Sequence, residues 1–298
     1  MNELQVKEQN AIANAEDVSA WGDGPLNVKN IVIPRLFLMQ PNSEPVTEGN
    51  AAFGDFRCSL TNKKIGDMNS VFDVIPFYLQ EIFVEYEVVP GKKPGEVEKK
   101  YLRHYPVTPM NRELPYEDTE KEEQTGREMK ISRDYTMNYF VLLPDEVKAG
   151  GELPYILTFR RFGVKEGKKL YTQMYVTNKG RGLPPPGFVV KIAVKKETNE
   201  KGTWAIPQVI LDPDQVSLAS KVLSPVTGTR TSKDNKEETY TMNAIHRCLE
   251  WMKTIKSGEA KMDTDSFEKE VRAETTTVTQ SAPAKDSGES IENGPERF

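Results

Sequence analysis

The chain is short of the residues that most catalytic and metal sites require. Its 298 residues include two histidines and two cysteines, and none of these four lies at a metal-ligand spacing from another. Few nucleophile–histidine pairs can form, so the composition disfavours an enzyme, and we predict no catalytic residue, metal or cofactor. Cys58 and Cys248 lie far apart in different contexts, which predicts two reduced, buried side chains rather than a disulfide.

Long apolar runs are also missing. The longest ones, such as VVKIAV, are far shorter than the roughly 20 residues that a membrane span requires. The N-terminus has no basic segment followed by an apolar one, so no secretory signal is predicted. These absences favour a cytoplasmic protein without a membrane partner.

Changes in composition divide the chain into three regions. Residues 1–30 are polar and predict a flexible N-terminal arm. Residues 31–257 carry strand-like segments as far as about 211, separated by turn residues, and then a helical piece at about 213–257. Residues 258–298 combine ten acidic and five basic residues with Ser, Thr, Pro and Gly, which predicts an acidic, largely disordered tail.

The pattern between residues 31 and 211 favours a mainly β fold, either a sandwich or a barrel. Strands are predicted at 71–89, 155–163, 169–177, 187–196 and 203–211, and residues 108–130 are expected to form a charged, exposed loop. A C-terminal amphipathic helix is predicted over 240–256, with an apolar stripe at helical spacing that we expect to pack on the core. The stripe consists of Met242, Ile245, Leu249 and Met252.

Positive charge is concentrated in residues 155–210, although the chain as a whole has 45 acidic and 40 basic residues. This segment holds eleven basic and three acidic residues, a net charge of +8. The rest of the chain therefore has a net charge of −13, since the net charge of the whole chain is −5. A basic segment in an acidic protein is typical of a surface that binds a polyanion.

Alternation along two predicted strands indicates which polyanion. Residues 169–177 would place Lys169, Tyr171 and Tyr175 on one face, and residues 187–195 would place Lys191 and Lys195 outward, with aliphatic residues in the core. Cations for phosphates and flat rings for unstacked bases together suit single-stranded nucleic acid. The alternative is a solvated, lysine-rich sheet face.

The candidate nucleic-acid-binding residues lie within or beside this basic segment. Trp204 and Phe188 could be stacking platforms, although a core position fits both better. The candidates are Arg160, Arg161, Lys165, Lys168, Lys169, Tyr171, Tyr175, Lys179, Arg181, Lys191, Lys195 and Trp204.

Two blocks of sequence carry a family resemblance. The block IPRLFLMQPNSEPVTEGNAAFGDF, and later LPYILTFRRFGVKEGKKLYTQMYVTN through NEKGTWAIPQVIL, resemble phage single-stranded-DNA-binding proteins of the OB-fold type, over roughly residues 31–211. The resemblance implies an OB-like Greek-key barrel that binds and protects single-stranded DNA, without sequence specificity, in phage replication or recombination inside an infected bacterium. It also implies that the acidic tail recruits replication or recombination proteins. The chain departs from that pattern at its end, where Arg297 precedes Phe298.

Two other functions stay open. A non-enzymatic virion or assembly protein would use its β domain for packing, but its sheet faces would be expected to carry apolar patches rather than lysines. A Mg²⁺-dependent nuclease could use Asp145 and Glu146 of the LPDEVK segment, although this acid pair more readily begins a short surface helix.

Overall fold

The computed structural model describes residues 31–91, 97–122, 125–149, 151, 153–177, 187–199, 202–210, 226–231, 237–242 and 244–264. The predicted arm (1–30), residues 265–298 of the predicted tail and the predicted helix start at 212–213 lie outside these residues. No helix within the described ranges is long and apolar enough to cross a membrane.

The prediction of a mainly β fold is confirmed, since the described ranges contain fourteen strands and four short to medium α-helices. The strands are β1 (Ile31–Ile33), β2 (Arg35–Leu38), β3 (Phe56–Cys58), β4 (Lys64–Gly66), β5 (Phe72–Pro90), β6 (Val97–Pro106), β7 (Glu117–Lys121), β8 (Glu128–Leu142), β9 (Tyr155–Arg160), β10 (Val190–Asn199), β11 (Gly202–Ile210), β12 (Val226–Thr231), β13 (Glu237–Met242) and β14 (Ala260–Met262). The helices are α1 (Glu44–Thr47), α2 (Pro144–Lys148), α3 (Val164–Tyr171) and α4 (Ala244–Lys256).

Ten of the strands form one mixed sheet that curls into a half-barrel. Its order is β11-β10-β5-β8-β9-β2-β3-β4, with β6 added to β5 and β7 added to β8. The long β5–β8 ladder runs from Ile75 opposite Leu142 to Glu87 opposite Ile131. β9 pairs with β2 in parallel, whereas β5, β8 and β9 form an antiparallel meander. Outside this sheet, β1 pairs with β14 and β12 pairs with β13.

The main hydrophobic core lies on one face of the curled sheet. Alternate residues of β8 and β9, such as Tyr139 and Phe159, are fully buried there beside side chains of β2, β5, β10 and β11. Leu170 and Met174 cover this core from the helical segment that follows β9. The period-two alternation of the strands therefore supplies one wall of the core, and a helix supplies the other.

The opposite face of the sheet is covered by α4, which confirms the predicted C-terminal helix. Its buried face agrees with the predicted stripe at Met252, which packs against the cluster, but Ala244 and Cys248 are the buried residues and Leu249 is 37% exposed. Met242 belongs to β13 rather than to the helix, and the helical piece predicted at about 213–257 is corrected by the paired strands β12 and β13 within it. Cys58 and Cys248 are both free and buried, as predicted, and burial raises the pKa of the Cys248 thiol to about 12.

Two segments have more regular structure than their composition indicated. The charged stretch expected as a loop at 108–130 includes β7, which pairs with β8 from Glu117 opposite Ser132 to Lys121 opposite Glu128. Beyond Gly258, β14 pairs in parallel with β1, and Ala260 and Asp263 are buried. β7 gains its structure from a local hairpin with β8, whereas β14 gains it from pairing with β1, a strand that is remote in sequence.

Polar side chains rather than a further strand satisfy the free edge of β11. The Gln40 side chain accepts a hydrogen bond from the Ala205 amide and donates one to the Ala205 carbonyl, both at 3.0 Å. The Glu166 carboxylate accepts a hydrogen bond from the Val209 amide at 3.0 Å. Gln40 follows β2 closely, so these bonds tie the edge strand β11 to the chain just after β2 and satisfy part of the edge of β11.

Candidate nucleic-acid interface

The segment after β9 is helical, and the predicted strand at 169–177 is therefore wrong. A 3-10 turn (Arg161–Gly163) leads into α3, and a π-helical segment (Thr172–Thr177) continues it. The buried residues Gly167, Leu170 and Met174 recur every three or four positions, which is the spacing of one helix face. That spacing is present in the sequence, but the alternation of residues 169–177 also fits a strand.

Close packing against the sheet holds α3 in place. A Cβ atom on Gly167 would lie 2.9 Å from Phe159 Cβ and 3.0 Å from Met137 Sδ, so only glycine fits without a shift. The Tyr139 hydroxyl donates a hydrogen bond of 2.7 Å to the Gly167 carbonyl. Glycine at this position is thus needed for close approach rather than for a turn.

We expect Gly167→Ala to lower the free energy of unfolding by about 1–2 kcal/mol. The new methyl group overpacks the contact with Phe159 at a cost of about 1–3 kcal/mol, whereas alanine's better helix propensity returns at most about 1 kcal/mol. Urea denaturation measures the difference. Gly163→Ala is the control, because its Cβ would meet Pro207 at an ordinary 3.7 Å. Equal stability of both variants would contradict the close-packing argument.

Tyr171 and Tyr175 do share a face, although for a helical reason. They are four residues apart on consecutive helical turns, and their ring centroids lie 4.8 Å apart at an angle of 34°. Tyr171 is 44% exposed, whereas Tyr175 packs partly against the core. Burial, with a contribution from Tyr171, raises the pKa of the Tyr175 hydroxyl. The pair offers one exposed ring backed by a second.

Lysines border this aromatic pair on α3. Lys165 and Lys168 are exposed and one helical turn apart, and neither forms an ion pair with any residue that the structure describes. Lys169 instead contacts the Glu166 carboxylate at 2.6 Å, on the flank of the helix. Lys165, Lys168 and Tyr171 therefore follow one another at intervals of three residues along α3. We call these three residues the α3 strip.

The two arginines before α3 are held within the fold. Arg161 contacts the buried Asp134 carboxylate at 2.9 Å through both Nε and Nη2. Arg160 donates a hydrogen bond of 3.4 Å to the Tyr86 hydroxyl. Asp134 is remote in sequence, so the charge count of residues 155–210 overstates the local positive charge.

The alternation predicted for 187–195 is confirmed. Ile192 and Val194 are buried in the core, and Phe188 is fully buried there as well, whereas Lys191 and Lys195 are exposed. Lys195 contacts Glu197 at 2.7 Å and Lys191 lies 3.8 Å from Asp73, so both lysines are partly neutralised. Two further candidates, Lys179 and Arg181, lie outside the described residues.

Trp204 is half-buried in β11 but belongs to none of the hydrophobic clusters of the described residues. Its ring stacks on Phe162, with centroids 4.7 Å apart and an angle of 20° between the planes. Phe162 is 59% exposed and was not among the candidates, because strand alternation gave no reason to prefer it. No strand pattern could have found this pair, since its two rings come from different elements.

The acid pair considered for a nuclease begins a short surface helix, as expected. Asp145 and Glu146 lie in the first turn of α2, where Glu146 contacts Lys63 at 2.6 Å and Asp145 is 3.5 Å from Lys148. Within the described ranges, no group of three or more His, Cys, Asp and Glu side chains is placed to hold a metal ion.

Comparison with known proteins assigns the chain to a phage family. A family model described as Pam3 phage gp34-like protein matches residues 5–241. The chain belongs to the Pam3 phage gp34-like protein family. The match spans the curled sheet and α3, together with the α3 strip, and it ends before α4. No curated protein and no solved structure matches the chain. The predicted phage origin is thus confirmed.

Proposed function

We propose that this phage protein binds single-stranded DNA without sequence specificity and protects it during replication or recombination. The observation that carries the proposal is the α3 strip, in which two exposed lysines without an ion-pair partner among the described residues lead to an exposed tyrosine backed by another ring. Phosphates attract the lysines, and an unstacked base gains about 1–3 kcal/mol on an aromatic face. We propose no catalytic step, and we place this activity in the cytoplasm of the infected host.

The order of five strands favours an OB-type barrel as the scaffold. The long β5 pairs with β8 on one side and β10 on the other, β8 continues into β9, and α3 follows before the β10–β11 hairpin. An OB barrel has this order, with its helix between the third and fourth strands. The chain departs from it at β2, which lies in parallel beside β9 where the last strand of such a barrel would lie.

Titration with oligo-dT tests the proposal. We expect a dissociation constant in the submicromolar to micromolar range at low salt, and we expect binding to weaken as the salt concentration is raised. Replacing Lys165 and Lys168 together with alanine is expected to weaken binding roughly 25-fold at about 0.1 M salt, and to reduce the slope of log affinity against log salt by about 1.4, since each phosphate contact on a single strand contributes about 0.7. Alanine preserves the helix.

The control removes the same charge elsewhere. Lys130 on β8 and Lys253 on α4 are exposed lysines on other elements, and their double alanine variant is expected to bind like the wild type. If both double variants lose affinity equally, binding does not involve the α3 strip. If the dissociation constant of the wild type for oligo-dT stays in the millimolar range at low salt, the proposed function is wrong.

The acidic tail supplies a second part of the proposal. Residues 258–298 would recruit replication or recombination proteins, as the family resemblance implies, but residues 265–298 lie outside the described residues. The assembly alternative predicts a defined oligomer without affinity for nucleic acid, so sedimentation analysis of the same preparation separates the two functions.

A further inference from the structure

We propose that the Phe162–Trp204 pair is a second stacking platform, which holds one unpaired base of a strand that lies along α3. This inference rests on the proposed function and extends it from one aromatic contact to two. Phe162 immediately precedes Gly163 and α3, and Tyr171 ends the helix. The two aromatic residues thus lie at opposite ends of α3, with Lys165 and Lys168 between them.

Packing does not account for the exposed ring. Phe162 is 59% exposed, and neither Phe162 nor Trp204 belongs to a hydrophobic cluster of the described residues. Their principal ring contact is with each other, nearly parallel at 4.7 Å. One face of Phe162 is backed by the indole, so its other face can accept a further flat ring in the same stack.

The backbone before Phe162 is held in a conformation that non-glycine residues rarely adopt. Arg161 has a φ of +48°, in the left-handed region. Its guanidinium contacts the buried Asp134 carboxylate, which fixes the residue at the point where β9 turns into α3. This turn directs Phe162 away from the core and onto Trp204. Strain of this kind is concentrated at functional sites, where surrounding contacts maintain it.

The separation of the two platforms suits a short single strand. Tyr171 lies nine positions after Phe162, which is about 14 Å along the helix axis and equals about four nucleotides at the stacked rise of 3.4 Å per nucleotide. Nine positions are also about two and a half helical turns, so the strand would wind about half a turn around α3 between the two rings. Lys165 and Lys168 are exposed along this distance, so the phosphates between two stacked bases would meet cations. Duplex DNA offers no free base faces, and the ligand class is therefore an unpaired strand of at least about four nucleotides.

Two substitutions test the platform by affinity and by fluorescence. We expect Phe162→Leu to weaken dT8 binding roughly 5- to 150-fold, because leucine keeps apolar surface but removes the aromatic face. Phe162→Tyr is expected to restore the affinity. Trp204→Phe keeps the stack, so we expect it to bind dT8 within about threefold of the wild type while most of the tryptophan quenching is lost.

A matched control and a separate outcome keep the two proposals distinguishable. Tyr116 is an exposed aromatic residue outside this surface, and Tyr116→Leu is expected to leave dT8 affinity unchanged. If the wild type binds dT8 and the Lys165/Lys168 variant weakens binding, but Phe162→Leu binds normally, the platform is refuted and the proposed function stands. Undiminished quenching in Trp204→Phe would also refute it. If the wild type does not bind at all, the proposed function itself fails.

Discussion

Glu85→Ala is expected to lower the free energy of unfolding by about 3–5 kcal/mol, because it removes the closest carboxylate of the buried Arg133 and leaves only Asp118 and Glu120 at 3.7 and 3.9 Å. The Glu85 carboxylate is fully buried in β5 and accepts hydrogen bonds of 2.6 Å from Arg133 Nε, Arg103 Nε and the Tyr105 hydroxyl. The Arg133 side chain is only 3% exposed, so water cannot replace the lost carboxylate. Chemical denaturation measures the loss.

Glu87→Ala is the matched control for this prediction. Glu87 lies two residues further along β5 and contacts Arg127, whose side chain is 56% exposed, at 2.7 Å. An ion pair open to solvent contributes about 1 kcal/mol or less, so this variant is expected to resemble the wild type. If both variants lose the same free energy of unfolding, the buried network around Glu85 contributes no more to stability than an exposed ion pair.

The Glu85 carboxylate also makes the stability of the protein depend on pH, and the direction of this dependence follows from its pKa. Burial alone would raise the pKa of Glu85, but the hydrogen bonds from Tyr105, Arg133 and Arg103 outweigh it and lower the pKa below its ordinary 4.5. A lowered folded-state pKa contributes stability above the unfolded-state value, and this contribution is lost as the pH falls through the folded-state value. The stability difference between the wild type and Glu85→Gln is therefore expected to shrink as the pH falls below about 4.5.

Leu170→Ala is expected to lower the free energy of unfolding by about 2–5 kcal/mol. Leu170 is fully buried in the main core, where it joins α3 to the sheet. Removing three carbon atoms there loses apolar burial and leaves a cavity that the surrounding strands cannot fill. Because alanine favours helix, the loss reports packing rather than helix propensity.

Leu249→Ala provides the comparison on another helix. Leu249 is 37% exposed on α4, and the same change is expected to lower the free energy of unfolding by less than about 1 kcal/mol. The sequence pattern had assigned Leu249 to the packed stripe of that helix. A loss at Leu249 as large as that at Leu170 would support the sequence pattern over the observed packing.

Much of the fold could be predicted from local patterns. The strands β5, β10 and β11 lie close to their predicted ranges, because alternating residues, such as Ile192 and Val194 against Lys191 and Lys195, give an unambiguous period of two. The C-terminal helix was predicted in the same way, because its apolar residues recur every three or four positions. Composition also predicted that both cysteines would be buried.

The candidate site was predicted only in part, because its geometry depends on residues remote in sequence. Lys169, Tyr171 and Tyr175 alternate with apolar residues, as in a strand, but the spacing of four between Tyr171 and Tyr175 also fits one face of a helix, from which Lys169 is excluded. Contact of Gly167 with Phe159 and Met137 favours the helix. The hypothesis that Tyr171 and Tyr175 share a face is confirmed, whereas the strand predicted at 169–177 is wrong.

By itself, the sequence determined the β class, the burial of the cysteines and the clustering of positive charge, since each depends on composition or on neighbouring residues. Only the tertiary structure decided which of those charges are available. Arg161 meets Asp134 and Lys191 approaches Asp73 across strands, whereas Lys165 and Lys168 meet no acid that the structure describes. It also brought Phe162 onto Trp204, because two rings more than forty residues apart can stack only after β11 and the turn before α3 have packed together.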